Sequence, residues 1–202
     1  MQKLSKIIYL VFALLVIGAA AFLIFFEKDK SKVLNEPEKV TLDFYRYYLK
    51  DIYNTNDSVE SPSAKLNSNG IYQLDTSEHV KFLNESVYFS STFYENEIPV
   101  FEKCNEDLKT VTVEEVTDAG TFPEEFADAC DFVFYHQWVG GQGEELNTVD
   151  IVKSEVAQEF AKVTVVVGNR ESGPYSYPIV TLKKEIGGWK ISDIELSFEI
   201  TN

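Results

Sequence analysis

Proline and glycine are scarce in this chain, with six and ten respectively among 202 residues, and no segment recurs at a fixed period. These absences exclude collagenous, low-complexity and repeat architectures. Apolar residues are plentiful by contrast, since 45% of the sequence is hydrophobic and 14% aromatic. This length and composition predict one domain with its own hydrophobic core and one further structural element outside that domain.

Basic residues are also in short supply. After residue 26 the sequence carries 33 Asp and Glu against 16 Lys and Arg, which gives a formal charge of −17. Such a surface repels phosphate backbones and anionic lipid headgroups, so we expect no nucleic-acid partner. Two interpretations of the acidic excess stay open: a solvated surface that keeps the protein soluble, and attraction to a basic protein partner.

The chain has two cysteines, Cys104 and Cys130, and two histidines, His79 and His136. The even cysteine count predicts one disulfide if the domain lies outside the cytoplasm, and its closure would stabilise the fold by about 3 to 4 kcal/mol. Two unpaired buried thiols remain the alternative, because the sequence does not give the separation of the two residues. A zinc site would need all four residues, which are mostly far apart, and we expect neither metal nor cofactor.

A charge-free run of 20 residues, IIYLVFALLVIGAAAFLIFF, occupies Ile7 to Phe26. As a helix it would be about 30 Å long, the thickness of a bilayer's hydrocarbon core, which predicts a membrane anchor. A cleaved signal peptide is the alternative, because Lys3 and Lys6 form a basic head and Ala19 to Ala21 fits the small-x-small cleavage rule. The apolar residues Phe22 to Phe26 continue past that cut and favour an uncleaved anchor. No cysteine lies in or just after the run, which excludes a lipid-modified N-terminal cysteine.

The short basic head favours an N-terminus in the cytoplasm, because a long C-terminal domain translocates largely regardless of its charge. We therefore expect an anchor at residues 1–26, a tether at residues 27–36 and an extracytoplasmic domain at residues 37–202. The expected location is the inner (cytoplasmic) membrane, crossed once, with the domain in the periplasm or outside the cell.

Helical spacing of apolar residues predicts two helices early in the domain. The first begins at Pro37, and the second begins at a capping-box pattern formed by Asp75 and Glu78. Between them, Ser61 to Gly70 has the composition of a loop. The apolar positions are Val40, Phe44, Tyr47, Tyr48 and Ile52 in the first helix and Val80, Leu83 and Val87 in the second.

Alternating patterns predict strands over most of the remaining chain. LKTVTVEEV, residues 108–116, places Val111 and Val113 on one side, as in a half-buried strand. Gly187 and Gly188 form a two-residue hairpin signal, and GNRESGPYSYP is a longer connection. The other predicted strands are TVDIVKSEV, FAKVTVVV, PIVTLKKEI and GWKISDIELSF.

The stretch CDFVFYHQWVGGQG, residues 130–143, concentrates reactive side-chain types. A capping-box pattern at Thr121 to Glu124 and apolar residues at helical spacing predict that CDFVFYHQW is the second half of a short helix, which ends at Gly140, Gly141 and Gly143. Asp131 and Tyr135 could act as a base and an oxyanion donor, but helix packing is the interpretation we favour. The candidate pocket residues are Asp131, Tyr135, His136, Gln137 and Trp138.

Helices followed by antiparallel strands that end in LKKEIGGWKISDIEL resemble the nuclear transport factor 2-like superfamily. VTLDFYRYYLKDIY and FVFYHQW are similar to segments of its uncharacterised bacterial envelope members. The resemblance covers about residues 37–200 and implies an α+β cone, in which a curved antiparallel sheet and helices enclose a pocket. Members of the superfamily use this pocket for isomerase or dehydratase chemistry, or only for binding or assembly.

Three classes of function remain open from the sequence. The first is a non-catalytic protein-binding module at the membrane surface, such as an immunity protein that neutralises a toxin. The second is a small-molecule binder or envelope-assembly factor that uses the cone, and the third is an enzyme of the isomerase or hydrolase type. For the first, which we favour, the candidate partner-binding residues lie in two loops and are Glu144, Glu145, Tyr175 and Tyr177.

Overall fold

The computed structural model describes residues 33–55, 61–119, 130, 136–141 and 144–199, and its fold is a mixed α+β arrangement with a curved antiparallel sheet. The chain divides into two units, Met1–Leu34 and Asn35–Asn202. The predicted anchor, Ile7 to Phe26, lies outside the described residues. Within those that are described, no helix is long and apolar enough to cross a membrane.

Helix α1, Glu36–Asp51, confirms the first predicted helix. It begins at Glu36 because Asn35 caps it. The Asn35 side chain accepts the Glu38 backbone N–H at 2.9 Å, and the Glu38 carboxylate accepts the Asn35 N–H at 2.9 Å. These reciprocal bonds satisfy donors that a helix start otherwise leaves unpaired. A short 3₁₀ turn, Tyr53–Thr55, follows the helix.

A hairpin occupies the region that the sequence predicted to be a loop. Strand β1, Ser63–Leu66, pairs antiparallel with β2, Tyr72–Asp75. The loop prediction is therefore wrong for Ser63–Leu66. The polar composition belongs to the turn, where the Asn67 side chain accepts backbone N–H groups of Asn69 and Ile71 at 2.9 and 3.1 Å.

Helix α2, Ser77–Glu85, lies where the second helix was predicted, although its cap differs. The Asp75 carboxylate does not form a capping box with Glu78. It accepts the backbone N–H and the hydroxyl of Ser77 at 3.0 and 2.6 Å. The helix buries His79 and Leu83, whereas Val87 lies beyond its end and is exposed.

Two further helices replace the strand predicted at residues 108–116. Helix α3 spans Phe93–Leu108 and helix α4 spans Val113–Ala119. The strand prediction is wrong because Thr112 and Glu115 form a capping box. The Glu115 carboxylate accepts the Thr112 N–H at 2.8 Å, and the Thr112 hydroxyl accepts the Glu115 N–H at 3.2 Å. These local bonds favour a helix start over the strand that the alternation suggested.

The main sheet confirms the four strands predicted near the C-terminus. They are β3, Thr148–Val156; β4, Phe160–Asn169; β6, Ile179–Glu185; and β7, Gly188–Glu195, in the order β3-β4-β6-β7. A short β5, Gly173–Ser176, also pairs with β4 within the predicted connection. The predicted β6–β7 hairpin is present, but its turn residues are Ile186 and Gly187 and not Gly187 and Gly188, because Gly188 pairs with Glu185. Gly187 has a φ of +101° that favours glycine.

The two ends of this sheet differ in what they carry. At the first, which we call the turn end, the β3–β4 and β6–β7 turns are adjacent, because the Lys184 N–H donates to the Glu159 carbonyl at 2.8 Å. Helix α1 begins near this end, where the Asn35 side chain donates to the Ser154 hydroxyl at 3.2 Å. At the opposite loop end lie residues 136–141, 144–147 and 169–176 and the end of α1.

Candidate functional site

Residues 136–141 form a tight turn at the loop end. The His136 N–H donates to the Gly141 carbonyl at 3.0 Å, and the Gly140 N–H donates to the His136 carbonyl at 2.6 Å. Cys130 is helical, but the predicted helix does not continue through Trp138, and that part of the prediction is wrong. Gly140, with a φ of +73°, allows the reversal. The predicted cap at residues 121–124 lies outside the described residues, as do Asp131, Tyr135 and Gly143.

Trp138 projects from this turn into the hydrophobic core. Its side chain is 2% exposed, and its ring lies 5.5 Å from that of Phe44 and 5.1 Å from that of Phe89. Tyr45 and Tyr48 of α1 belong to the same buried cluster. In the described part of the chain, these aromatic side chains fill space between α1 and the sheet. Trp138 is therefore a core residue in this structure.

Three tyrosine hydroxyls hold the main chain around the turn. Tyr45 donates to the Trp138 carbonyl at 3.1 Å, and Tyr175 donates to the Gly140 carbonyl at 3.2 Å. Tyr53 donates to the Glu144 carbonyl at 2.8 Å. Burial raises the pKa of Tyr45 well above its usual value, so this phenol stays protonated and available as a donor.

Close packing also requires glycine in the turn. A Cβ at Gly140 would lie 2.6 Å from the Phe198 ring and 2.7 Å from the Leu196 side chain, and a Cβ at Gly141 would collide with the Tyr53 hydroxyl. His136 packs edge-on against the Tyr53 ring at 4.5 Å and stays partly exposed. Gly140 and Gly141, which were predicted to end a helix, therefore leave room for the neighbouring side chains of Phe198, Leu196 and Tyr53.

A buried polar cluster, which the sequence did not reveal, joins this turn to two helices. His79 Nε2 of α2 lies 2.6 Å from Glu97 Oε2 of α3, and Gln137 Nε2 donates to Glu97 Oε1 at 3.3 Å. Burial raises the pKa of Glu97, and the hydrogen bond to His79 partly offsets this effect. No local spacing indicated the cluster, because its members lie 18 and 40 residues apart.

The chemistry available to this cluster is limited by its enclosure. A histidine and a carboxylate at 2.6 Å can share a proton, but the His79 side chain is 0% exposed. Its ring is packed against Tyr94, Phe101 and Trp138 at centroid distances of 5.6 to 6.4 Å. A substrate does not reach His79 in this conformation, so the pair acts as a polar connection between elements. The described ranges contain no group of three His, Cys, Asp or Glu able to hold a metal ion.

Cys104 and Cys130 form a disulfide, as predicted, with a Cα–Cα distance of 5.1 Å. Both residues are buried in a second, smaller apolar cluster with Leu74, Phe101 and Leu108. The bond ties α3 to the segment that leads into the 136–141 turn. Because both sulfurs are bonded to each other, neither is available as a thiolate ligand for zinc.

The structure brings together three of the four predicted partner-binding residues at the loop end. Glu144 and Glu145 are exposed, and Asn169 donates to the Glu145 carbonyl at 2.7 Å. Tyr175 is half-buried and uses its hydroxyl to hold Gly140. The fourth residue, Tyr177, lies two positions after Tyr175 in the chain, and its N–H donates to the Ser197 carbonyl at 2.6 Å.

Phe198 is a member of this surface that the sequence did not indicate. Its ring is 58% exposed and meets Tyr175 edge-on at a centroid distance of 6.3 Å. The sequence predicted it as the last residue of the final strand, but β7 ends at Glu195, so Phe198 lies beyond the sheet. Glu171 is also exposed at this end, as is its neighbour Arg170. We define the loop-end surface as Glu144, Glu145, Glu171, Tyr175 and Phe198.

Comparisons with protein-family models, with curated proteins and with solved structures find no match for this chain.

Proposed function

We propose that this chain is a membrane-anchored, extracytoplasmic and non-catalytic module that binds a basic protein through its loop-end surface. The observation that carries the proposal is the set of exposed glutamates on a main chain held in place by Tyr53, Asn169 and Tyr175. A fixed main chain reduces the ordering cost of binding, and exposed carboxylates accelerate association with a cationic partner. An immunity protein that neutralises a toxin is one specific form of such a module.

The position of the loop end supports access by a partner. Helix α1 begins near the turn end, its 16 residues rise by about 24 Å, and it finishes at the loop end. A chain anchored by residues 7–26 would therefore present the loop end away from the membrane. The disulfide supports an oxidising compartment outside the cytoplasm, where such bonds persist.

The aromatic core and the enclosed His79–Glu97 pair favour binding over catalysis. Trp138, a candidate pocket residue, packs into the core, and His136 packs against Tyr53. The alternatives remain a small-molecule binder or assembly factor that uses a conical pocket, and an enzyme that uses Asp131, Tyr135 and His136.

We also propose that the fold is a variant of the nuclear transport factor 2-like cone. Support comes from α1, which packs against a curved antiparallel sheet, and from the Gly-Gly-Trp-Lys-Ile hairpin at its last strand.

Site-specific photocrosslinking tests the proposed partner surface. A photoreactive residue at position 144 or 171 of the full chain, expressed in its native envelope, should form an adduct with a basic protein. Adduct formation should decrease with added salt, which screens exposed charges beyond about 8 Å at physiological ionic strength. A photoreactive residue at Glu106, an exposed position on α3, is the matched control and should give no such adduct.

Charge reversal then separates a specific surface from general attraction. Glu144→Lys with Glu145→Lys should lower the association rate for the crosslinked protein, whereas the same charge change at Glu102 and Glu106 should have a smaller effect. Equal effects of the two pairs would show that net charge alone steers the partner. Loss of phenotype in Asp131→Asn, together with no crosslink at position 144, would instead favour the enzyme.

A further inference from the structure

Three large apolar side chains protrude from the turn end. Ile186 in the β6–β7 turn is fully exposed, Phe160 at the start of β4 is 54% exposed, and Val156 at the end of β3 is 52% exposed. The two turns are joined by the Lys184–Glu159 backbone hydrogen bond, so these side chains belong to one end of the sheet. Exposed apolar groups that cluster in this way mark an interaction surface more often than isolated ones do.

Lysines surround these side chains, in contrast to the rest of the domain. Residues 153–162 and 183–190 together contain five lysines and three glutamates. Residues 33–202 outside those two segments contain eight basic and 28 acidic residues. Phe160, Lys183 and Lys190 are cross-strand neighbours on one face of the sheet, so two basic side chains lie beside the apolar one there. The turn end is a basic and apolar surface on an acidic protein.

Two of the carboxylates near this surface are paired with lysines. Glu155 lies 2.9 Å from Lys153, and Glu36, at the start of α1, lies 2.7 Å from Lys39. Lysine stems can lie along an apolar boundary while their ammonium groups stay in water. Apolar tips among lysines are the combination that interfacial membrane-binding surfaces use.

The domain begins beside this surface. Asn35 contacts Ser154 of β3, and Glu36 and Val40 line a groove with Lys184, Gly187 and Gly188. The domain is therefore entered close to the turn end. Eight residues, 27–34, separate it from the apolar run at residues 7–26, and they reach at most about 30 Å when fully extended.

We propose that the turn end docks on the surface of the bilayer, with Phe160 and Ile186 inserted at the headgroup boundary and lysines 162, 183 and 184 facing anionic headgroups. This inference rests on the proposed membrane anchor, which would keep the turn end near the lipid at high effective concentration. The acidic remainder of the domain is repelled by the same headgroups, which fixes the orientation and leaves the loop end facing away.

Photolabelling from lipid tests this docking in the full chain. The protein is reconstituted into phosphatidylcholine vesicles, with or without phosphatidylglycerol, that contain a lipid with a photoreactive group near the top of its acyl chain. Mass spectrometry should find label in residues 7–26 and also in segments 153–162 and 183–190. Label in the two turn-end segments should increase when phosphatidylglycerol is present.

Two variants make the test specific. Phe160→Asp with Ile186→Asp should reduce turn-end labelling about tenfold or more, because both inserted side chains become charged. Leu66→Asp with Ile71→Asp, which changes two exposed apolar residues in the β1–β2 hairpin, is the matched control and should leave turn-end labelling unchanged. Lys162→Glu with Lys183→Glu, which retains the apolar tips, should remove the preference for phosphatidylglycerol.

The distribution of label distinguishes the possible failures. Label in residues 7–26 without label in the turn-end segments would overturn the docking and leave the anchor intact. No label in either region would overturn both the anchor and the docking. Equal label in the turn end and in the β1–β2 hairpin would show non-specific contact and would also overturn the proposal.

Discussion

The turn end and the loop end belong to the same sheet but differ in charge and in how their main chains are held. The loop end exposes glutamates on segments fixed by side-chain hydrogen bonds from Tyr53, Asn169 and Tyr175. The turn end exposes apolar side chains and lysines on two hairpin turns. A single net charge of −15 for the whole chain therefore hides two surfaces with opposite preferences.

The largest effect should come from the core that supports both ends. Trp138→Ala should lower the free energy of unfolding by about 3 to 5 kcal/mol, because it removes a ring packed against α1 and Phe89. Denaturant unfolding followed by circular dichroism measures this loss. Trp189→Ala, at a partly buried position beside the core in β7, is the control and should cost less. Equal losses would contradict the placement of Trp138 in the core.

Loss of the disulfide should rank next. Cys104→Ser with Cys130→Ser should lower the free energy of unfolding by about 3 kcal/mol, since the unfolded chain gains the freedom of the loop between them. A reducing agent should have a similar effect on the wild-type protein and none on the variant. A denaturing, non-reducing thiol assay of the exported wild-type protein should detect no free thiol, and two reactive thiols per chain would refute the bond.

A methyl group at Gly141 should disturb the loop end alone. Gly141→Ala should cost about 1 to 3 kcal/mol, because the new Cβ displaces the Tyr53 hydroxyl from its place beside the turn. Hydrogen exchange should become faster at residues 144–147 and stay unchanged at residues 183–190. Gly70→Ala is the control: no atom lies within 4 Å of its new Cβ, so any cost there comes from its φ of +75°, which disfavours alanine, and not from crowding. Faster exchange at both ends in Gly141→Ala would contradict this separation.

Removal of one hydroxyl should have a smaller effect at the same end. Tyr175→Phe should lower the free energy of unfolding by about 1 kcal/mol, because the Gly140 carbonyl loses its donor. The same change should increase the dissociation rate of a loop-end partner. Tyr177→Phe serves as the control and should change stability less. A larger loss of stability in Tyr177→Phe than in Tyr175→Phe would contradict the role of the Tyr175 hydroxyl in holding the Gly140 carbonyl.

The pH dependence of stability should report on the buried Glu97. Because burial raises its pKa in the folded state, the folded protein binds a proton more tightly than the unfolded chain. This group therefore favours the folded state less as the pH rises from the ordinary glutamate pKa, about 4.5, to the raised folded value. Glu97→Gln should remove that decline from unfolding curves measured across this range. Glu95→Gln, at an exposed position on α3, should retain it, and an unchanged slope in Glu97→Gln would contradict the assignment.

The sequence predicted elements whose signals are local. Strands β3, β4, β6 and β7 alternate clearly, and α1 carries aromatic residues at helical spacing, so all five were predicted. Helix α3 was not predicted, and it contains Pro99 in its second turn together with many polar residues, which weakens the helical pattern. At residues 108–116 the alternation of valines indicated a strand, although the Thr112–Glu115 capping box forms a helix start.

The sequence predicted only those residues of the candidate site that local composition marks as exposed. Glu144 and Glu145 could be selected because charged residues beside glycines indicate an exposed loop. The hydrogen bonds from the tyrosine hydroxyls and those within the His79–Glu97–Gln137 cluster join residues 18 to 93 positions apart. No periodic pattern in the sequence indicates such contacts. The basic turn end was also missed. The net charge was counted over the whole domain, and the many acidic residues elsewhere conceal the five lysines of the two turn-end segments.

The height of each end above the membrane tests the opposed roles of the two ends most directly. Energy transfer from a fluorophore at position 186 or at position 171 of the reconstituted full chain to acceptors at the bilayer surface measures both heights. We predict that position 186 lies at the headgroup level and that position 171 lies about 20 Å or more farther away, as the length of α1 requires. Equal heights, or a loop end closer to the lipid than the turn end, would contradict the proposed orientation.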